Sequence, residues 1–330
     1  MFTNVLNEVT GRLDSRFILT LFFPSLLFWG GLTAVYGADK GLVTLITQWR
    51  AQDAGVQLMQ IIIALAWVTF FAYLLSNQLV WLTKQFEGYW EWMPLIGKRL
   101  VETRRKHYQQ VLANINPAVD FERIYYTFPF PDEPEEVMPT RLGNIMKNSE
   151  RYSYQRYDIA AVLLWPRLYA VLPESFVKTL DKAKASLDFM LVISSLSALF
   201  AFIAGIYLLV AQGAWWLFLL CFLGGLVLAR LAYKSALEAA ITYGQLIKSA
   251  FDLYKGELRK QLGYEQPKSL AEERDFWRSL YELVYRGEAG DPEALRYLGV
   301  KETQPAPSPE PAQPWLIRWL QSIFGQGGDS

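Results

Sequence analysis

The chain has 330 residues, enough for two or three domains, but 52% of them are hydrophobic and 15% aromatic, and its mean hydropathy is positive, more apolar than an ordinary soluble protein. Lys plus Arg and Asp plus Glu each total 32, so the net charge gives neither a nucleic-acid footprint nor an acidic tail. The single cysteine, Cys221, excludes an intrachain disulfide framework and a multi-cysteine metal site.

A membrane-crossing helix needs about 20 mostly apolar residues, because its backbone polar groups find no partners in hydrocarbon. After a short polar N-terminus at residues 1–16, the first such stretch is FILTLFFPSLLFWGGLTAVY, residues 17–36, with a kink expected at Pro24. A cleavable signal is the alternative, but the apolar stretch is long and no small-residue cleavage site follows convincingly. The second, VQLMQIIIALAWVTFFAYLLSNQLVWL, covers 56–82, so that residues 17–83 hold the first pair. Residues 84–188 are charged and read as a helical domain. Within them, residues 158–173, DIAAVLLWPRLYAVLP, contain only about 14 apolar-run residues with Pro166 and Arg167 inside, a length more often buried in a domain than spanning a bilayer. Spanning would also put its Lys- and Arg-rich flanks on opposite faces.

The third and fourth stretches, 189–211 and 214–233, are joined by Gln212-Gly213 and make a hairpin over 189–233. Before it, Phe176, Leu180, Ala183, Leu187 and Met190 recur at +4 and +3; after it, so do Ala229, Ala232, Ala236, Ala239, Tyr243, Leu246, Ala250 and Leu253. The hairpin is therefore expected to continue out of the membrane, residues 234–262 projecting about 40 Å. Ser197, Ala201 and Gly205, opposite Gly224-Gly225, have the spacing that lets helices pack closely in lipid, within one chain or between copies. The polar residues of interest inside the spans are Asn77, Gln78, Ser194 and Ser197; interhelical hydrogen bonding is their ordinary role and lining a pathway the alternative. Arg230 is expected to snorkel to the interface.

The links between spans 1 and 2 and between spans 3 and 4 carry few basic residues, whereas Lys and Arg crowd the flanks at 84–106, 178–184 and 230–234. By the positive-inside rule, the N-terminus, residues 84–188 and everything after 234 are cytoplasmic. In the extension at 234–302, residues 264–301 read as two short helices broken near Gly287, anchored by Phe276, Trp277, Tyr281 and Tyr285. A polyproline-type linker follows at 303–314. In the tail at 315–330, Trp315, Leu316, Trp319, Leu320, Ile323 and Phe324 share a helical face suited to a membrane surface or a docking groove.

PTRLGN at 139–144, a downstream Arg-Tyr and WPRL at 165–168 resemble a set of uncharacterised bacterial integral-membrane proteins. The resemblance implies a multi-pass protein of the bacterial inner (plasma) membrane and no particular activity. The fold expected is an all-α polytopic membrane protein: four transmembrane helices arranged 2+2, a mainly helical cytoplasmic domain, and a helical hairpin extending from the membrane.

Arg141, Arg151, Arg156 and Arg167 lie near the apolar run. Guanidinium forks bind carboxylates or phosphates, so these residues either pair with Glu135, Glu136, Glu150 and Asp158 or form an anion site near the membrane surface, for anionic lipid headgroups or a nucleotide. His107, the only histidine, follows three basic residues and suits a basic surface better than a general base. HExxH, CxxC, GxSxG and phosphate-loop patterns are absent from the sequence, so no catalytic residue, metal or cofactor is assigned. Three function classes follow: a non-enzymatic membrane scaffold or accessory protein recruiting a partner, an oligomeric channel or transport component, and a lipid-acting enzyme. The partners expected are the lipid bilayer and an unidentified protein, with a homo-oligomer as an alternative and no nucleic acid.

Overall fold

The computed structural model describes residues 15–90, 92–93, 97–116, 121–128 and 134–298. Among these the chain is helical, with no strand and one isolated antiparallel bridge between Tyr264 and Tyr297. Four helical stretches are long and apolar enough to cross a membrane: Ile18–Lys40, Ala54–Glu87, Glu174–Val210 and Trp215–Gln261. The 11-residue run Ala161–Val171 is a separate, shorter helix.

We label the helices α1 (Phe23–Lys40), α2 (Leu42–Arg50), α3 (Ala54–Glu87), α4 (Gly97–Ala113), α5 (Phe121–Thr127), α6 (Arg141–Tyr157), α7 (Ala161–Val171), α8 (Glu174–Val210), α9 (Trp215–Gln261) and α10 (Leu270–Arg286). The bundle has a turn end, where α8 meets α9, and a domain end, where α4 to α7 and α10 gather.

Pro24 has no N–H to give Thr20, and the chain absorbs this with a π turn over Ile18–Phe22 in which the Phe23 N–H reaches the Ile18 carbonyl. The Ser25 hydroxyl donates to the Leu21 carbonyl at 2.7 Å. The expected proline kink thus takes the form of a widened turn. Beyond it, α1 packs on α3 through Phe28 stacked on Phe71, with ring centroids 5.8 Å apart. Leu21, Phe28, Ala72, Val192 and Leu196 make a shared core of α1, α3 and α8. Otherwise α3 is apolar all round and buries only Val68 and Ala72, the pattern of a helix whose solvent is hydrocarbon. Between the first two spans the chain forms α2, which the sequence reading did not anticipate. Its Leu42, Val43, Ile46 and Trp49 are exposed, a row suited to lying in an interface.

α8 and α9 are the spine, about 55 and 70 Å long at 1.5 Å per residue. A Cβ added at Gly225 would meet the Ala201 Cβ at 2.8 Å and the Ser197 carbonyl at 3.0 Å, and the Ser194 hydroxyl donates to the Ala229 carbonyl at 3.0 Å. The small residues at 197, 201 and 205 are therefore used within one chain.

Charge ties α8 to the first span at both ends. At the domain end, buried Asp188 accepts from Arg16 at 3.0 Å and also pairs with Lys184. At the turn end, the Tyr207 hydroxyl donates to Asp39 at 2.9 Å, and Asp39 pairs with Lys40 at 3.2 Å.

Past the apolar section α8 and α9 are packed by other helices. Ala236, Leu237 and Ala240 pack against Leu142, Ile145, Leu187 and Leu191 of α6 and α8. Leu253, expected in the seam, is 65% exposed: the buried face of α9 turns toward Gly244, Ala250 and Phe251, because α6 and α7 as well as α8 pack on it. Ile159, Leu164, Leu168 and Leu172 from the apolar run at 158–173 join Phe251, Phe276 and Trp277 in one core. After α10 the structure has a single 3-10 turn, Pro292–Ala294, in place of the second short helix. Tyr285, expected as an anchor, is 68% exposed.

The Gly225 contact predicts that Gly225→Leu destabilises the protein by about 1–3 kcal/mol through overpacking. Gly224→Leu, where an added Cβ meets nothing within 4 Å, should behave like wild type. Thermal unfolding in detergent followed by tryptophan fluorescence checks both; equal midpoints for the two variants would contradict the close approach.

Candidate functional site

The domain end begins where α3 stops at Gly88, whose φ of 99° ends the helix in a left-handed turn. Onto this stop docks PTRLGN. Thr140 is the N-cap of α6: its Oγ1 accepts from the Gly143 N–H and donates to the Glu87 carbonyl, both at 2.9 Å. Asn144, 1% exposed, accepts from the Met138 N–H at 2.8 Å through Oδ1, while its Nδ2 donates to the Met138 and Thr140 carbonyls at 2.9 and 2.8 Å. Any Cβ at 143 would overlap the Glu87 carbonyl, which requires glycine there. With Leu142 fully buried, only Arg141 of this segment faces outward. WPRL divides in a similar way: Leu168 enters the core, and Trp165 and Pro166 line an apolar cavity of about 320 Å³ with Glu87 and Lys147 among its lining groups. The Arg167 guanidinium donates to the Leu163 carbonyl of its own helix at 3.0 Å.

The four arginines singled out in the sequence do not form one site. Arg141 starts α6, about 15 Å of helix rise from Arg151. Arg151 lies 4.7 Å over the Tyr154 ring and Arg156 5.8 Å over Tyr152. The carboxylates nominated for them go elsewhere: Glu136 and Glu150 pair with Lys147, each at 3.1 Å, and Asp158 pairs with Arg278 at 2.6 Å.

What sequence reasoning missed is a buried cation on α9. Lys248 is 2% exposed; its ammonium donates to the Tyr125 carbonyl at 2.8 Å and lies 4.0 and 5.3 Å from the Tyr125 and Tyr152 ring centroids. One turn on, Asp252 accepts from the Tyr152 and Tyr157 hydroxyls at 2.9 and 2.8 Å. Lys255 pairs with Glu273 at 2.8 Å and sits 3.9 Å over Tyr157. Lys248 lies fifteen residues past the apolar section of α9, about 22 Å of rise. There burial, with Arg156 acting in the same direction and Asp252 opposing, pushes its ammonium down to about 8. Burial and the bond to Asp252 raise Tyr157 to about 12 and shift Tyr152 upward as well. The signal available in the sequence was the density of tyrosine in RYSYQRY and a lysine four residues before an aspartate; neither shows which faces converge.

A second cluster lies at the junction of α3, α4, α6 and α9. Arg104, Arg141, Arg230 and Lys234 line a cavity of about 590 Å³ together with Trp90, Tyr108 and Tyr233, and among the described residues no carboxylate is in its wall. Arg230 therefore sits beside other cations.

Of the polar span residues, Ser194 is spent on the α8–α9 bond, the Ser197 carbonyl backs Gly225, and Asn77 and Gln78 are exposed on the outside of the single chain. The tail face of Trp315, Leu316, Trp319, Leu320, Ile323 and Phe324 lies outside the described residues. No protein-family model, curated protein or solved structure matches the chain.

Two outcomes test this geometry. Asn144→Ala leaves the Met138 N–H and carbonyl without their partner and should cost about 1–3 kcal/mol, whereas Arg141→Ala should change stability by less than about 0.5 kcal/mol; denaturant titration in detergent compares them. For Lys248 the folded-state pKa lies below the unfolded one, so between about pH 8 and 10 the unfolded chain binds more protons there and stability rises with pH. Wild type should gain on Lys248→Met across that window and stay at a constant offset below it. A difference independent of pH would show that the ammonium is not desolvated.

Proposed function

We propose that this is a non-enzymatic integral-membrane scaffold or accessory protein of the bacterial inner membrane, with both termini and the helical domain in the cytoplasm, whose domain and C-terminal segment recruit a protein partner. The observation that carries the reading is the continuity of α8 and α9 from their apolar sections into the domain core. A domain built on the same two helices as the spans has its distance and orientation to the bilayer held rigidly, which suits presentation of a surface. The most distinctive sequence segment supports it too, since Thr140, Gly143 and Asn144 act in docking α6 onto α3. The cytoplasmic side follows from the basic residues crowded at the domain end and sparse at the turn end.

A channel is the second reading. It draws on α3, whose outward Asn77 and Gln78 another copy would have to cover.

Reporter fusions after residues 130 and 262 are expected to behave as cytoplasmic, and a tag beside Asp39 to be reachable only from outside; an external position 130 overturns the topology. Purification from native membranes is expected to yield a stoichiometric companion polypeptide that is lost when residues 303–330 are deleted while the remaining chain stays monodisperse. A symmetric ring of this chain alone that conducts ions in planar bilayers overturns the scaffold role.

A further inference from the structure

The 590 Å³ cavity at the domain end joins features that point to a ligand. Its four basic side chains come from three helices: Arg104 from α4, Arg141 from the first position of α6, Arg230 and Lys234 from α9. Among the described residues no carboxylate pairs with any of them, although Lys147, Lys184, Lys255, Arg16 and Arg278 are all matched to acids. Four exposed cations lining one space make its potential positive and favour an anion there. Arg141 occupies the first position of a 17-residue helix, where the positive end of the helix dipole favours negative charge.

Position decides the source of that anion. Arg230 lies in the last turn of the apolar section of α9, and Lys234 follows four residues later on the same face. Three and seven residues before Arg230, on the same face of α9, Val227 and Leu223 are 58% and 52% exposed, an apolar track running toward the turn end. Trp90, Tyr108 and Tyr233 rim the cavity, the residue types that settle at headgroup level. A molecule with phosphate in the cavity and acyl chains along Val227 and Leu223 satisfies both parts.

We propose that Arg104, Arg141, Arg230 and Lys234 form a binding site for the phosphate of an anionic phospholipid headgroup. The site rests on reading the helices as membrane spans and is independent of partner recruitment.

Full-length protein in neutral detergent, titrated with phosphatidylglycerol or phosphatidylcholine and read by native mass spectrometry, tests it. Phosphatidylglycerol is expected to bind in preference, and the preference to collapse in about 0.5 M salt, where charges are screened within a few ångströms. Arg104→Gln/Arg230→Gln should weaken phosphatidylglycerol binding roughly tenfold or more, with the Arg167→Gln control unchanged. Equal binding of the two lipids by wild type, or a double variant that is monodisperse and binds phosphatidylglycerol as wild type does, overturns the site. Inorganic phosphate at millimolar concentration that displaces all bound phosphatidylglycerol would reassign it to a soluble anion and overturn the lipid assignment.

Discussion

The backbones of α8 and α9 touch at Gly225, and everything else in the fold hangs on that contact. With Ser197, Ala201 and Gly225 at the crossing, the two helices come close enough for a side-chain hydroxyl on one, Ser194, to reach a main-chain carbonyl on the other, at Ala229. In hydrocarbon such packing replaces the hydrophobic drive that would join helices in water. It sets the register of both helices, and because neither is interrupted, the same register is carried into the domain.

That register explains why the outer section of α9 is built of small residues on more than one side. Ala236 and Ala240 meet α8 and α6 together, and Gly244 sits against Ser149 of α6. One helix serving as a wall for three neighbours cannot carry large side chains toward each of them. Farther along, Phe251 and Leu258 are buried among the apolar run of α7 and the aromatic pair of α10. Asp188 marks the changeover between the two environments. A carboxylate buried at the edge of the apolar section is tolerable because Arg16 and Lys184 both neutralise it, and this pins the entry of the first span to the base of the domain.

Charge at the domain end is consequently of two kinds. Lys147, Lys248, Lys255 and Arg278 are committed to carboxylates, carbonyls or aromatic rings and hold helices together. Arg104, Arg141, Arg230 and Lys234 are gathered around a cavity with no acid in its wall among the described residues. Arginine number and spacing along the chain do not separate the two groups. Arg141 and Arg151 sit on one helix and look alike in sequence, but α6 carries one to the end of α3 and the other toward α10.

Local chemistry was enough to determine the helical class, the four long apolar stretches, the burial of the short run at 158–173 and the disturbance at Pro24. Each follows from the length of an apolar run, from a missing N–H or from the cost of an unsatisfied backbone group, and none needs knowledge of a distant residue. The helix spacing of the seam was legible as far as α8 alone determined it, and failed at Leu253, where α6 and α7 share the burial of α9. The roles of PTRLGN were not legible, because the partners of Thr140 and Gly143 lie on Glu87, more than fifty residues away. The same holds for the Lys248 enclosure and the basic cavity: sequence specifies which groups carry charge, and only the packing of helices far apart in the chain decides which charges meet a partner and which are left facing one another.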